Sequence, residues 1–188
     1  MASASDLAAR STAAAPALPP EVAAEVRWRR AGLLARAHGR VLDLDEPAAA
    51  GALAEAAAAR AAGEVWDDSR RYDTVVCTAR LVHEPDLARA AGGLDQLLAD
   101  GGELFAVEPV LRPGSWGLLS ASVGSTLRAL AGLHVSRDVV AALRSTGLTV
   151  ADVERFEVRT PVWPLRRLVE LRAVRIPRPP STSPDSPS

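Results

Sequence analysis

Residues 71–110 read RYDTVVCTARLVHEPDLARAAGGLDQLLADGGELFAVEPV, and this stretch decides the fold. It opens with the apolar and β-branched run Tyr72–Thr78, which is typical of a strand buried on both faces. A second run of this kind covers residues 104–107. It ends at Glu108 and Pro109, where a carboxylate is expected to face a crevice and proline cannot donate to a sheet. The stretch therefore predicts two buried strands.

A helix is predicted between these two strands. Apolar side chains recur at steps of three and four from Leu87 to Leu98. Asp86 is placed to accept backbone N–H bonds at the start of the helix, and Gly101 and Gly102 are predicted to end it. Strand, helix and strand in this order predict a right-handed crossover between two parallel strands.

The composition excludes several classes of protein. The 188 residues are 48% hydrophobic with a formal net charge of −1, which suits one globular domain and argues against nucleic-acid binding. All 22 basic residues are arginine, so a lysine base, a Schiff-base lysine and a phosphate-loop lysine are excluded. One cysteine (Cys77) and three separated histidines (His38, His83, His134) predict neither a disulfide framework nor a metal site.

A single domain is predicted over residues 20–176. Residues 1–19 are alanine-rich without an apolar face, and residues 177–188 are rich in proline and serine, so both segments are predicted to be disordered. We find neither a signal peptide nor an apolar run long enough to span a membrane. A cytoplasmic protein without membrane contact is therefore expected.

The remaining periodicities predict further helices and strands. Helices are predicted over residues 20–38, 47–62 and 116–133 and after Ser136 as N-cap, and strands over residues 40–44, 148–155 and 168–176. The last two strands are predicted to form an antiparallel pair. Residues 64–66 form either a short strand or an extended connector. Trp28 is predicted to pack its helix onto the sheet rather than to stack on a ligand.

Three portions of the chain resemble the class I S-adenosylmethionine-dependent methyltransferases of the small-molecule type. GRVLDLDEP (residues 39–47) resembles their first strand and loop, a strand that ends in an acidic residue before a G-x-G-x-G turn. The opening stretch resembles their strand four, helix and strand five, with the "FD-V" start, the "L-H-x-x-D" segment and the "GG-L-x-x-x-EP" strand. GLHVSRDVVAALRSTGLTVADVERF (residues 132–156) resembles their late helix and sixth strand.

The resemblance implies a Rossmann-like α/β methyltransferase fold reduced to about five strands, three parallel strands plus a C-terminal antiparallel pair, flanked by helices. About 30 residues separate Asp43 from Asp73, where the family fits two strand-and-helix units. The second strand, its helix and the third strand are therefore inferred to be missing. The strand over residues 40–44 then lies near a sheet edge, which either the helices or a second subunit of a homodimer would cover.

The resemblance also implies a set of cofactor-binding residues. Ligands of open parallel sheets bind outside the carboxyl ends of the strands, which places Asp43, Asp45 and Thr78 beside S-adenosylmethionine. Gly51 is the remaining glycine near the turn. Asp67 or Asp68 could hold the ribose hydroxyls in place of the acid on the missing second strand, and Asp68 is taken as the candidate. Asp43 and Asp45 are equally well explained as helix caps or loop carboxylates.

The glycine-rich turn of the family is absent. Its glycines let the backbone approach the methionine part of the cofactor, but Asp45, Pro47 and Ala49 occupy the turn here, so side chains fill that approach. Pro47 also removes a backbone donor, and Asp45 would crowd the carboxylate of the cofactor. The cofactor that the resemblance implies, S-adenosylmethionine, therefore conflicts with the chemistry of this turn.

Two functions remain open on the sequence. In the first, the protein transfers a methyl group to a small molecule, with His83, Glu108 and His134 orienting or deprotonating the nucleophile. Each of the three also has a structural explanation as a loop hydrogen bond, a strand end or a helix cap. In the second, the protein is a non-catalytic module that has lost the cofactor and binds a protein partner. A nucleotide-binding oxidoreductase is disfavoured because it would need the glycines even more.

Overall fold

The computed structural model describes residues 18–49, 51–64, 66–110, 132–135, 137–162 and 165–177. The predicted helix over residues 116–133, the predicted disordered arm and the predicted disordered tail lie almost entirely outside these residues. Ser136 also lies outside them.

The described residues form four α-helices and five strands joined by short 3-10 turns. In chain order they are α1 (Pro20–Arg36), β1 (Val41–Asp43), α2 (Ala52–Ala62), β2 (Tyr72–Thr78), α3 (Leu87–Leu97), β3 (Leu98–Pro109), α4 (Val139–Ser145), β4 (Leu148–Glu157) and β5 (Arg167–Arg175). The 3-10 turns are Pro47–Ala49, Asp68–Arg70 and Leu81–His83.

The five strands form one sheet in the order β1-β2-β3-β5-β4. β1 pairs in parallel with β2, and β2 pairs in parallel with β3. β5 is antiparallel to both β3 and β4. The prediction of three parallel strands and an antiparallel C-terminal pair is confirmed, and α3 is the predicted crossover helix. β1 lies at the sheet edge, as expected, and its Val41 is 39% exposed.

Two hydrophobic clusters pack against the two faces of the sheet. Helices α2, α3 and α4 contribute to one cluster, in which Leu94 and Leu104 are fully buried. Helix α1 contributes to the other, which contains Phe105, the next residue along β3 and therefore on the opposite face. Helices α2 and α3 approach closely at Gly93, where an added Cβ would lie 2.9 Å from the Leu53 carbonyl oxygen. Burial of each such leucine stabilises the fold by about 2 kcal/mol.

The predicted helix stop at Gly101 and Gly102 is wrong. α3 ends before these glycines, and both lie inside β3. Tyr72 pairs with Leu98 while Thr74 pairs with Glu103, so the intervening part of β3 bulges out of the ladder. Gly101 has a φ of 78°, a backbone conformation that glycine adopts without strain.

Two predicted helix starts are also corrected. The helix predicted from Pro47 begins at Ala52 instead, after a separate 3-10 turn that contains Pro47. The N-cap of α4 is Asp138 rather than Ser136, since the Asp138 side chain accepts the backbone N–H of Ala141. Glu64 and Trp66 belong to no strand, so the described part of residues 64–66 is a connector.

The predicted packing of Trp28 onto the sheet is wrong. The Trp28 side chain is 68% exposed, whereas Val22, Val26 and Leu33 of the same helix are buried. The aliphatic side of α1 faces the sheet, and Trp28 lies on the other side of the helix.

Candidate ligand site at the carboxyl edge of the sheet

The parallel strands β1, β2 and β3 end at one edge of the sheet, where the sequence predicts a ligand. Asp43, Thr78 and Glu108 occupy the ends of these three strands, and Asp45 follows β1 by two residues. Asp45 accepts a hydrogen bond from Thr78, and the negative charge of Asp45 helps to raise the pKa of Glu108. The structure therefore brings these four predicted residues together.

Arg30 neutralises the carboxylates that follow β1. It projects from α1, and its Nε donates to Oδ2 of Asp43 at 2.9 Å. Its Nη2 donates to Oε1 of Glu46 at 2.7 Å, and its Nε lies 3.5 Å from Oδ2 of Asp45. The other oxygen of Asp43 accepts the backbone N–H of Asp45 at 3.0 Å. Both oxygens of Asp43 are therefore engaged within the protein.

Asp45 bridges the crevice between β1 and β2. The Thr78 hydroxyl donates to Oδ2 of Asp45, so a carboxylate from the loop after β1 reaches the end of β2. Burial raises the pKa of the Asp45 carboxyl, while the hydrogen bond from Thr78 acts in the opposite direction. The side chain that stands where the family has glycine thus occupies the space between the strands.

Glu108 is a fully buried carboxyl group that holds the loop after β2. Its Oε1 accepts the backbone N–H groups of Arg80 at 3.0 Å and Leu81 at 2.8 Å, and its Oε2 accepts that of Val82 at 3.1 Å. Burial raises the pKa of Glu108 to about 8, although the three amide donors act in the opposite direction. Since Glu108 has no exposed surface, the expectation that it faces an open crevice is wrong.

The same loop positions the two predicted catalytic histidines. His83 ends the 3-10 turn Leu81–His83 and is half-buried. The half-buried His134 donates its backbone N–H to the Val82 carbonyl at 2.7 Å. Burial lowers the pKa of His83, and the positive charge of Arg80 lowers it further, so its imidazole is neutral at pH 7. His83, His134 and Glu108 therefore meet at one loop.

The two other predicted cofactor residues are Gly51 and Asp68. Gly51 is the residue before α2, close along the chain to the turn Pro47–Ala49, as predicted. Asp68 lies before β2, at the opposite end of that strand from Thr78, and its carboxylate is 93% exposed and pairs with Arg71 at 2.8 Å. Because β2 has seven residues, about 20 Å separates its two ends, so Asp68 does not share a ligand with Asp43.

Sequence reasoning missed Arg30 and Glu84. No local spacing links Arg30 to Asp43, which lies thirteen residues later along the chain. Glu84 follows the histidine turn and is half-buried, and burial raises the pKa of its carboxyl. A carboxylate next to a candidate histidine is the signal that was available for Glu84.

Neither a metal cluster nor a membrane helix is found in the described ranges. No three histidine, cysteine, aspartate or glutamate side chains are grouped there as metal ligands. None of the helices described has the length and apolar character that crossing a membrane requires.

The sequence alone matches no known family: no family model and no curated protein matches it significantly. The structure is similar to that of a Bacillus halodurans protein whose assignment as a methyltransferase is itself provisional. That likeness has a TM-score of 0.53 and 14% identity, and covers 79% of this chain and 99% of the other. It is also similar to the YcgJ protein of Bacillus subtilis, with a TM-score of 0.53 and 12% identity over 80% of this chain and 100% of the other. A weaker likeness, with a TM-score of 0.42 and 15% identity, covers 72% of this chain and 65% of the N-methyltransferase NodS of Bradyrhizobium japonicum, solved with S-adenosylhomocysteine.

These likenesses concern the fold, and they agree with the sheet. A mixed five-stranded sheet with parallel strands followed by an antiparallel pair and flanked by helices is a Rossmann-like methyltransferase fold. This is the fold that the resemblance to the class I S-adenosylmethionine-dependent methyltransferases predicts. Across the sheet, β1, β2, β3, β5 and β4 correspond to strands one, four, five, seven and six of that resemblance. Among the described residues no strand lies along the chain between β1 and β2, which agrees with the shortened interval.

The described residues of the carboxyl edge fit S-adenosylmethionine poorly. Asp43 uses both carboxylate oxygens within the protein, and the Asp45 carboxylate fills the crevice where the family needs glycine. No strand of the described ranges corresponds to the one that would carry the ribose-binding acid, and Asp68 lies at the amino end of β2. These contacts differ from the ones that the resemblance implies around the cofactor.

Proposed function

We propose that this protein is a non-catalytic methyltransferase-fold module that does not bind S-adenosylmethionine and acts by binding a protein partner. The observation that supports this most directly is the hydrogen bond between Asp45 and Thr78 across the crevice between β1 and β2. This bond places a carboxylate where the cofactor would need free space and a hydrogen-bond donor.

The energetic argument rests on the bonds that a cofactor must displace. Entry between β1 and β2 breaks the bond from Thr78 to Asp45 and disturbs the pairing of Arg30 with Asp43. Hydrogen bonds to charged groups contribute roughly 1.5–3 kcal/mol each. Losing two of them weakens binding by roughly a hundredfold or more, since each 1.4 kcal/mol is a factor of about ten. The Asp45 carboxylate would in addition repel the carboxylate of the cofactor.

Methyl transfer to a small molecule is the second candidate, and the neutral, half-buried His83 favours it. A neutral imidazole near the end of β2 accepts a proton from a substrate nucleophile in the way that general-base catalysis requires. This function requires the cofactor, so the same binding experiment separates the two candidates.

Calorimetric titration and thermal unfolding of the full chain with S-adenosylmethionine and S-adenosylhomocysteine test the proposal. We expect no saturable heat and no rise in Tm at about 1 mM ligand. A ligand present at about a hundred times its Kd would stabilise the native state by about 2.7 kcal/mol. Saturable binding in the micromolar range to the unmodified chain contradicts the proposal.

Two variants identify the source of the exclusion. Asp45→Gly removes the carboxylate that bridges to Thr78, and we expect it to bind S-adenosylhomocysteine more tightly than the unmodified chain does. Asp68→Gly removes an exposed carboxylate at the opposite edge and serves as the matched control, with no expected effect on binding. Equal behaviour of the two variants would show that Asp45 does not exclude the cofactor.

A further inference from the structure

Strand β4 forms the edge of the sheet opposite to β1, and no described strand pairs with its outer side. It has ten residues, whereas β1 has three. The register of β4 against β5 shifts between Val150 and Asp152, and from Asp152 to Glu157 the pairing is continuous. A continuous edge of this kind is a surface to which another strand can be added.

The backbone groups that face outward from β4 follow from its pairing with β5. Val158 donates its backbone N–H to the Arg166 carbonyl at 2.7 Å. In an antiparallel pair every second residue bonds to the neighbouring strand, so the outward residues of β4 are Val153, Arg155 and Glu157. Each has one N–H and one C=O group directed away from β5, which are the groups that an added strand would bond.

The side chains of this edge separate into two sets. Phe156 and Val158 pack against the cluster on the α1 side of the sheet, and Val153 packs against the cluster on the other side. Because side chains alternate along a strand, Arg155 and Arg159 project from the same face as Val153. Both arginines are exposed, and neither forms an ion pair within the described ranges.

The end of β4 and the turn after it carry an excess of positive charge. Residues 155–167 contain four arginines and one glutamate. The glutamate, Glu157, lies 2.7 Å from Nη2 of Arg167, so its charge is already matched. Arg166 donates its Nε to the Thr160 carbonyl at 2.8 Å, which is a neutral acceptor.

The acidic residues of β4 that project from its α1 side are matched within the protein. Arg29 lies 3.3 Å from a carboxylate oxygen of Glu154. Asp152 lies directly opposite Arg172 in the ladder and helps to raise the pKa of that arginine. The unmatched charge along this edge is therefore positive.

We propose that the outer side of β4 binds an extended acidic segment of a partner protein, which adds a further strand to the sheet. This inference rests on the proposed function, which requires a protein partner. Backbone bonds to the outward residues would hold the segment, and acidic side chains at every second position would lie beside Arg155 and Arg159.

The charges of this edge also disfavour two other occupants. A second copy of the chain would bring its own arginines to the edge, while the acids of its β4 are already matched. Nucleic acid would meet Asp152 and Glu154 along the same strand, and the formal net charge of the chain is −1. An acidic polypeptide supplies both the backbone groups and the charge that the edge lacks.

A synthetic peptide of about eight residues that alternates glutamate and threonine tests this surface, since strands of this length are common. NMR titration of the full chain is expected to give saturable shifts of the β4 amides. The N–H groups of Val153, Arg155 and Glu157 are expected to gain protection from hydrogen exchange, because these are the groups that face the added strand. A peptide that alternates lysine and threonine is the matched control, and it is expected to bind at least about tenfold more weakly.

Two pairs of variants separate charge from strand addition. Arg155→Glu places a like charge beside the acidic peptide and should weaken binding by at least about tenfold. Arg27→Glu is its control and should leave the affinity unchanged, because Arg27 is exposed on α1 at the other face of the sheet. Val153→Pro removes an N–H that the sheet itself does not use and should weaken binding more than Val153→Ala does. Circular dichroism shows whether each variant is folded.

Several results would overturn the proposal. These are the absence of saturable shifts at about 1 mM peptide, equal binding of the two peptides, and equal effects of Arg155→Glu and Arg27→Glu. Equal affinity of the folded variants Val153→Pro and Val153→Ala would overturn strand addition. Tighter binding of single-stranded DNA at the same amides, or dimerisation of the unmodified chain through β4, would show that another occupant uses the edge.

The outcome at β4 is distinguishable from that of the cofactor experiment. The peptide titration is made without S-adenosylmethionine, so a negative result at β4 leaves the exclusion of the cofactor by Asp45 unaffected. Micromolar binding of S-adenosylhomocysteine would refute the proposed function whether or not the peptide binds.

Discussion

The stability of this protein should fall as the pH rises from about 5 to about 8 because of one buried group, Glu108. Its carboxyl has no exposed surface, and burial raises its pKa from 4.5 to about 8. In the unfolded chain the group ionises freely near pH 4.5. The folded state therefore holds a proton that the unfolded state has released, and ionising the buried group costs free energy.

The sign and size follow from this difference. A raised carboxyl pKa contributes stability that is fully present below about pH 4.5 and is lost as the pH rises through about 8. Between about pH 5 and 8 the loss is on the order of 3 kcal/mol for this one group. Glu108→Gln imitates the protonated form and removes the titration. We expect it to cost about 1–2 kcal/mol at about pH 5, where its amide group meets the Val82 N–H, and to be at least as stable as the unmodified chain at about pH 8.

Urea unfolding of both chains at half-unit steps across this pH range measures the effect. The other titrating groups are shared, so the difference between the two curves isolates Glu108. Glu108→Ala is the second variant, and it should be destabilised at every pH because three backbone N–H groups lose their acceptor. Parallel curves for the unmodified chain and Glu108→Gln would refute the reasoning. They would show that the three amide donors outweigh burial and keep the carboxylate ionised.

Two further predictions concern the ends of β1. Arg30→Ala leaves the carboxylates after β1 without their guanidinium partner, and it should lower the free energy of unfolding by roughly 2 kcal/mol. Arg27 is exposed on the same helix, so Arg27→Ala should change this free energy by less than about 0.5 kcal/mol. Urea unfolding measures both variants. Gly39→Ala should lower Tm more than Gly63→Ala. Both glycines have a positive φ, 64° and 70°, so both substitutions strain the backbone. Only at Gly39 would the added Cβ also clash with a neighbour, since it would lie 2.2 Å from an Asp73 carboxylate oxygen. Equal losses at the two glycines would show that backbone conformation alone sets the cost, which is about 1–2 kcal/mol.

The parallel part of the sheet was predictable because β2 and the later part of β3 are short, continuously buried runs. Tyr72–Thr78 is buried along most of its length, and such a run allows only a parallel or central position in a sheet. The helix caps followed from local chemistry in the same way, and Asp86 accepts the backbone N–H of Arg89 as expected. The bulge at Gly101 was not predictable, because it depends on how β3 aligns with β2 rather than on its own sequence.

The site was predictable as a place but not as a set of contacts. The strand ends alone bring Asp43 and Thr78 to one edge. The direction in which Glu108 points is set by the loop that folds over it, and this loop contributes only backbone N–H groups, which have no sequence signature. Asp68 precedes β2 along the chain and therefore lies at the amino end of that strand, away from the carboxyl edge where a ligand is expected.

The contacts at the carboxyl edge explain why a shortened fold keeps acidic residues that resemble a cofactor site. Within the described part of the chain no strand pairs with the outer side of β1, and the loops after β1 and β2 are held by contacts with neighbouring elements. Asp45 joins the loop after β1 to the end of β2, and Glu108 joins β3 to the loop after β2. Arg30 joins α1 to the end of β1. A carboxylate that cross-links two loops is not available to a ligand without loss of that link. Stability is therefore a sufficient physical reason for these residues, and their presence alone does not indicate catalysis.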